Sequence, residues 1–336
     1  MQDCSHTSTH RAIDITATTT TAAMTSLLSL NHDVLSLVLA FLSPHDAAQL
    51  ALTSHQAHAL AMARVLAHVS LGGVFHKPAR TAAHQLTSFC RYMLADVSTR
   101  LSCLRSLTIM RDTVRKRVCG VWAVDVECVC MLSEMLARGK NLQKVTVWGM
   151  DALVQARPQI VDALAGCEFL HTVCLGGEIP ELSILTRAFP HVRSLQFVDG
   201  GGSFGADWGM KDIELPQDGW PCLDRVDSGH PILPLARPVR RVDLRNPLPA
   251  DELAINNALR FIKRTQPVVL SCFVDVSVPD AAFVARIPEV AGNLKFLELI
   301  LHGCESLAGV TSWMVRVYVL FHMRWLIGRY CILHFI

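Results

Sequence analysis

Six times between residues 104 and 299 the chain repeats one spacing of apolar side chains, L-x-x-L-x-L with Val, Ile or Phe allowed. The copies are Leu104-Leu107-Ile109, Leu142-Val145-Val147, Leu170-Val173-Leu175, Val192-Leu195-Phe197, Val239-Val242-Leu244 and Leu294-Leu297-Leu299. A degenerate copy stands at Leu223-Val226, and Val268–Val274 reads as a further strand. Alternation over the last part of each copy is the signature of a strand with one buried face. Amphipathic stretches lie between the copies. Val126–Arg138 puts Val129, Leu132, Met135 and Leu136 on one side, and a helix starting near Arg157 carries Ile160, Val161 and Leu164. Leu182–Phe189, Asp251–Lys263 and Ala281–Val290 follow, the last containing Pro288. A strand, a turn and a helix cannot bury their apolar face alone. Stacked units can, with the strands in one parallel sheet and the helices behind it.

This pattern resembles the leucine-rich repeat. The asparagine usual after the strand is missing; Gly149, Gly176, Asp199 and Asn246 stand near that point. The segments between strands are long for the minimal repeat, which is similar to the irregular repeats of F-box proteins. The fold expected is therefore α/β, a solenoid over residues 69–312 with a parallel sheet on its concave side.

Ahead of the repeats, Leu30–Leu60 predicts three short helices. Val34, Leu35, Val38, Leu39 and Leu42 form an apolar stripe on the first. Ser43 can cap a second, with Pro44 at its first position and Asp46 three residues after the cap. A third starts at Thr53/Ser54, with Leu60, Ala63, Leu66 and Ala67 recurring on one side. The segment resembles the F-box at Leu30, Asp33, Val34, Leu35, Val38, Leu39, Leu42, Pro44, Asp46, Leu50, Thr53 and Ser54. It departs at Asn31, where the family has proline, and at Ala57/His58, where it often has an aromatic residue. The resemblance implies a three-helix domain over residues 27–68 and a substrate-recognition subunit of an SCF-type cullin–RING ubiquitin ligase. By carry-over, Leu30, Val34, Leu35, Leu42, Pro44 and Leu50 would face a Skp-family adaptor, and the cullin complex would be reached through it. An unknown protein substrate would lie on the repeats. Among residues flanking the middle leucine of each copy, Arg225, Arg241, Phe296 and Glu298 are the candidate substrate contacts, since arginine and aromatic residues anchor interfaces.

Half the residues are hydrophobic and 18% are charged, so the chain is too apolar for disorder outside its ends. A net charge of +2 argues against a nucleic-acid partner. The first twenty residues carry no apolar run that would direct secretion, so the twelve cysteines are expected as reduced thiols in cytosol or nucleus. Residues 1–26, rich in Thr, Ser and Ala, read as a disordered tail. The basic run from Arg111 to Arg117 reads as a solvated loop or a nuclear address.

Three features mimic sites. Gly200–Gly205 satisfies both G-x-G-x-x-G and, at Ser203, G-x-S-x-G, yet the following residues lack the helix that either needs, so a flexible excursion is expected. Cys128 and Cys130 fall about 200° apart on one predicted helix and do not converge on an ion. No catalytic residue, metal or cofactor is expected, and the chain is not read as an enzyme. Residues 313–336 are dense in apolar side chains, but Arg316, Arg324 and Arg329 divide them. That disfavours a membrane span and fits a terminal cap, an unfinished last repeat or a mis-joined end. Two further readings stand beside the ligase subunit: a repeat scaffold without a ubiquitin role, and a hydrolase dependent on Ser203.

Overall fold

A computed structural model of the chain describes residues 27–72, 82–110, 113–118, 121–198, 219–229, 235, 237–246, 252–275, 282–302 and 330–335. The tail over residues 1–26, the Gly200–Gly205 loop with Ser203, and all of 303–329 lie outside the described residues.

Three helices open the described chain: α1 (His32–Phe41), α2 (Pro44–Ala51) and α3 (His55–Ala67). Their starts are set by side chains that satisfy the first free backbone N–H groups. The Asn31 side-chain oxygen accepts from Asp33 N at 3.0 Å. The departure at Asn31 is thus a helix cap. Ser43 Oγ accepts from Asp46 N at 3.1 Å and donates to the Asp46 carboxylate at 2.6 Å, while Pro44 takes the first helical position. Ser54 Oγ accepts from Ala57 N at 3.1 Å. Ala47 and Ala51 on α2 and Ala57 and Ala61 on α3 are buried, and side chains this small let the two helices pack closely. The inward face of α3 is therefore Ala57, Ala61 and Leu66. Ala63, expected on that face, is exposed and Leu60 is half-buried. Arg64 Nε donates to Leu42 O at 2.8 Å and ties α3 to the end of α1.

The body is one ten-stranded sheet and a layer of helices. Its strands are β1 (His68–Leu71), β2 (Ser106–Ile109), β5 (Lys144–Trp148), β6 (Thr172–Gly176), β7 (Ser194–Val198), β8 (Arg225–Ser228), β9 (Arg241–Leu244), β10 (Val269–Asp275), β11 (Phe296–His302) and β12 (Tyr330–Phe335). They lie side by side in chain order, and all nine pairings are parallel. The missing numbers are a separate antiparallel hairpin, β3 (Arg115–Val118) with β4 (Val121–Val124). The register is constant: Leu107 pairs with Val145, Val145 with Val173, Val173 with Leu195, Leu195 with Val226 and Val226 with Val242. The repeated spacing thus becomes straight columns of side chains across the sheet. Every apolar position of the six copies is buried, none more than 7% exposed. In the degenerate copy Ser228 occupies the last inward position and is itself buried.

Behind the sheet lie α4 (Ala82–Leu94), α5 (Val126–Arg138), α6 (Met150–Ala156), α7 (Ile160–Ala165), α8 (Leu182–Ala188), α9 (Glu252–Thr265) and α10 (Ala282–Val290). One continuous core runs between the layers from Leu66 to Leu301, with Leu86, Met93, Leu132, Met135 and Phe189 among its largest members. Its thiols are packing atoms: burial pushes Cys90 up to about 12 and Cys167 up to about 11, far from reactivity at neutral pH. Cys128 is buried on α5 and Cys130 is half-buried; among the described residues no group of side chains could hold a metal ion.

The α/β class and the parallel, in-order sheet follow the repeat spacing. Several elements differ from expectation. The chain passes from α3 directly into β1, so the first strand of the sheet begins within the segment expected to be wholly helical. Leu66 already belongs to the main core, and Met62 packs on both cores. The basic run ends in the hairpin strand β3 rather than in a loop. The helix expected near Arg157 starts at Ile160, preceded by α6, whose entry uses Gly149 at φ +79°. Tyr330–Phe335 is the last strand of the described sheet, paired parallel with β11. Among the described residues no helix is long and apolar enough to cross a membrane.

Candidate functional site

Two surfaces carry more than packing explains. The first is on the three-helix unit. Successive residues on a helix are 100° apart, so the apolar positions of α1 split into two stripes. Leu35 and Leu39 point inward and pack with Ala51 and Ala61, with Leu42, Leu50 and Leu60 half-buried around them. Val34, Leu37 and Phe41 form the other stripe, at 47%, 60% and 83% exposure. Leu27 and Leu30 just ahead of α1 and Leu52 at the end of α2 are exposed as well, Leu52 at 80%. Of the residues expected at an adaptor, Leu30, Val34 and Pro44 are exposed, Leu42 and Leu50 are partly so, and Leu35 is only 3% exposed. The correction at Leu35 has a geometric cause: it is the α1 side chain that closes the unit's small core. Leu37, Phe41 and Leu52 fall between the positions at which the segment resembles the motif.

The second surface is the sheet face turned away from the helices. On β8 and β9 the constant register places Arg225 beside Arg241 and Asp227 beside Asp243. Two carboxylates opposite one another in a ladder repel. The arginines resolve this. Arg225 donates from Nε to Asp243 at 2.8 Å and approaches it through Nη2 at 2.7 Å. Arg241 Nε donates to both Asp243 oxygens, at 2.8 and 3.1 Å, and its Nη2 reaches Glu298 on β11 at 3.4 Å. Arg245, just past β9, donates to Asp227. Gln196 on β7, with its amide oxygen toward Arg245, accepts from both terminal nitrogens at 3.0 and 3.2 Å. The result is layered. Asp227 and Asp243 are 3% and 5% exposed, whereas the side chains of Arg225, Arg241 and Arg245 are 44%, 39% and 50% exposed.

The two aspartates are not equivalent. Asp243 has both oxygens engaged by arginine forks. Asp227 Oδ1 has no hydrogen-bond partner among the described residues. Burial holds the Asp227 carboxyl above the usual carboxylate range, Asp243 adding to this, despite the opposing hydrogen bond from Arg245. A carboxyl raised in the folded state stabilises the fold below its unfolded pKa, and that contribution is lost as pH rises through the folded value. Asp227→Asn is therefore expected to stay within about 1 kcal/mol of the parent, and to gain on it as pH rises through that range. Asp243→Asn leaves two forks without their anion and is expected to cost about 2–3 kcal/mol. Denaturant midpoints of both variants between acid and neutral pH check this; equal losses would refute the asymmetry.

Of the four expected substrate contacts, Arg225, Arg241 and Glu298 join this one network. Phe296, 40% exposed, lies on the same face two strands from Arg241. Arg245 was missed because it stands one position past the repeat spacing. In the same outward column on β5, Trp148 lies against Gly176 of β6: a Cβ there would come within 2.6 Å of the indole. Gly176 thus provides the flat seat for that ring. Cys174, buried between these groups, has its thiol pushed up by burial and is no nucleophile. The exposed guanidinium groups of this face can bind anions. No known family profile matches this chain, and no curated protein matches it.

Proposed function

We propose that the chain is a substrate-recognition subunit of an SCF-type cullin–RING ubiquitin ligase. The observation that carries the reading is the second apolar stripe of α1. A unit whose core is essentially Leu35, Leu39, Ala51 and Ala61 leaves Leu30, Val34, Leu37, Phe41 and Leu52 in water. Large apolar side chains gathered in one short segment mark a surface that a partner covers. That segment is the one that resembles the F-box, whose partner is a Skp-family adaptor. The three capped helices, in order and with Pro44 at the start of the second, agree with the resemblance. In this reading the adaptor face is Leu30, Val34 and Pro44 with Leu37, Phe41 and Leu52, while Leu35 shapes it from within. The fusion of α3 to β1 couples the adaptor to the repeat sheet without a flexible joint. Such a subunit carries out no chemistry. It raises the effective concentration of substrate lysines near the charged conjugating enzyme.

Val34→Asp combined with Phe41→Asp tests the assignment, because both side chains are exposed and the fold does not need them. Co-purification of the Skp subunit is expected to fall by more than about a hundredfold, since two carboxylates in an apolar interface each cost several kcal/mol. Circular dichroism should stay unchanged. Undiminished co-purification would remove the adaptor face, and failure of the parent chain to bind any Skp adaptor would leave a repeat scaffold without a ubiquitin role.

A further inference from the structure

We infer that the sheet face across β8, β9 and β11 docks an extended acidic segment of a protein partner. The inference deepens the receptor reading above and rests on it for calling that partner a substrate. Its basis is the order of the charges rather than their sum. Arg225, Arg241 and Arg245 balance Asp227, Asp243 and Glu298 in number, but not in depth. The two aspartates lie beneath the surface, and the Glu298 side chain is 26% exposed and engaged by Arg241. The guanidinium groups form the outer layer, between 39% and 50% exposed. An approaching anion meets donors first. An approaching cation meets three like charges standing over two buried aspartates.

The carboxylates also hold the arginines in place. Each planar fork is fixed at one edge by an aspartate, and Arg245 is further braced by Gln196. A fork held at one edge presents its remaining N–H groups in a set direction and loses little freedom when a second carboxylate binds. Three such groups gathered on two neighbouring strands suit a segment with several carboxylates, not one isolated acid. Flanking apolar side chains complete the surface: Phe296 is 40% exposed, and Phe273 and Ile300 are half-buried on the same face. A peptide can lay an aliphatic or aromatic side chain there while its acids meet the arginines. Lys144, exposed on β5, stands in the same outward column as Arg225, three strands away.

The test uses the full chain and three fluorescent peptides of equal length, one alternating Glu with Ser and Leu, one with Gln for Glu, and one with Lys for Glu. Fluorescence anisotropy at low salt is expected to show the Glu peptide binding at least about tenfold more tightly than the Gln peptide, and the Lys peptide not at all. The preference should shrink as salt is raised. Arg245→Gln, which leaves Asp243 and its two forks intact, is expected to weaken the Glu peptide by about tenfold with the circular dichroism of the folded chain unchanged. Equal binding of Glu and Gln peptides by the parent chain overturns the inference without recourse to any variant. So does preference for the Lys peptide, or tighter binding of a single-stranded oligonucleotide. Adaptor binding is measured on the same preparation. A chain that binds the Skp subunit but shows no acidic preference loses this inference alone. One that prefers the Glu peptide but binds no adaptor loses only the ligase reading.

Discussion

Leu35→Asp is expected to unfold α1 and α2 while the sheet survives. Leu35 is 3% exposed and shares its cluster, among the described residues, with Leu39, Ala51 and Ala61 as buried partners. A carboxylate placed there has no hydrogen-bonding partner in that cluster and costs more than about 3 kcal/mol. A core this small has nothing in reserve, whereas α3 is anchored separately by Leu66 in the main core. Hydrogen exchange should therefore show protection lost over α1 and α2 and retained in the strands. The adjacent change Val34→Asp, at a site 47% exposed, should alter stability by no more than about 0.5 kcal/mol. Unchanged protection of α1 in Leu35→Asp would refute the inward orientation of that stripe. The pair also separates folding from binding. Loss of adaptor in Leu35→Asp says nothing about the interface, and loss in Val34→Asp with Phe41→Asp does.

Phe189→Ala should produce the largest loss in the repeat body, about 3–5 kcal/mol. Phe189 follows α8 and is 1% exposed, the largest of the fully buried side chains among the described residues. It sits where the chain turns from helix to strand, its N–H bonded to Leu185 O at 3.0 Å and its carbonyl accepting from Val192 N at 3.3 Å. Those backbone bonds hold the turn, so the surroundings cannot collapse far into the space the ring leaves. Phe189→Leu keeps most of the volume and should cost about 1.5 kcal/mol or less. In stacked repeats each unit is supported mainly by its neighbours, so the alanine change should also broaden the transition as units uncouple. Urea denaturation followed by circular dichroism measures both. A loss below about 1 kcal/mol with an unbroadened transition would contradict the burial of Phe189 in the main core.

What the chain determined locally was legible in its letters. Ser43, Pro44 and Asp46 start a helix because a hydroxyl, a fixed φ and an early carboxylate act within one turn, whatever surrounds them. The L-x-x-L-x-L copies predicted strands with a buried column because alternation is a property of the strand itself, and a helix that carries the chain back from one strand to the next makes the two neighbours parallel. The misses have the same logic reversed. Apolar density over 313–336 left a cap and an unfinished last repeat both open, because only pairing with β11 makes Tyr330–Phe335 a strand. Which of the two apolar stripes of α1 turns inward depended on the alanines of α2 and α3, which are too small to weigh much in a hydrophobic pattern. The pairing of charges was likewise out of reach. Arg225 stands two residues from Asp227 on its own strand, yet its closer partner is Asp243 on the next, at 2.7 Å against 3.6 Å. Sequence supplied the arginines and the acids. Only the stacking of β8 on β9 in one register decided who neutralises whom, which carboxylates sink and which cations remain at the surface, because those outcomes depend on distances between strands and on depth from water.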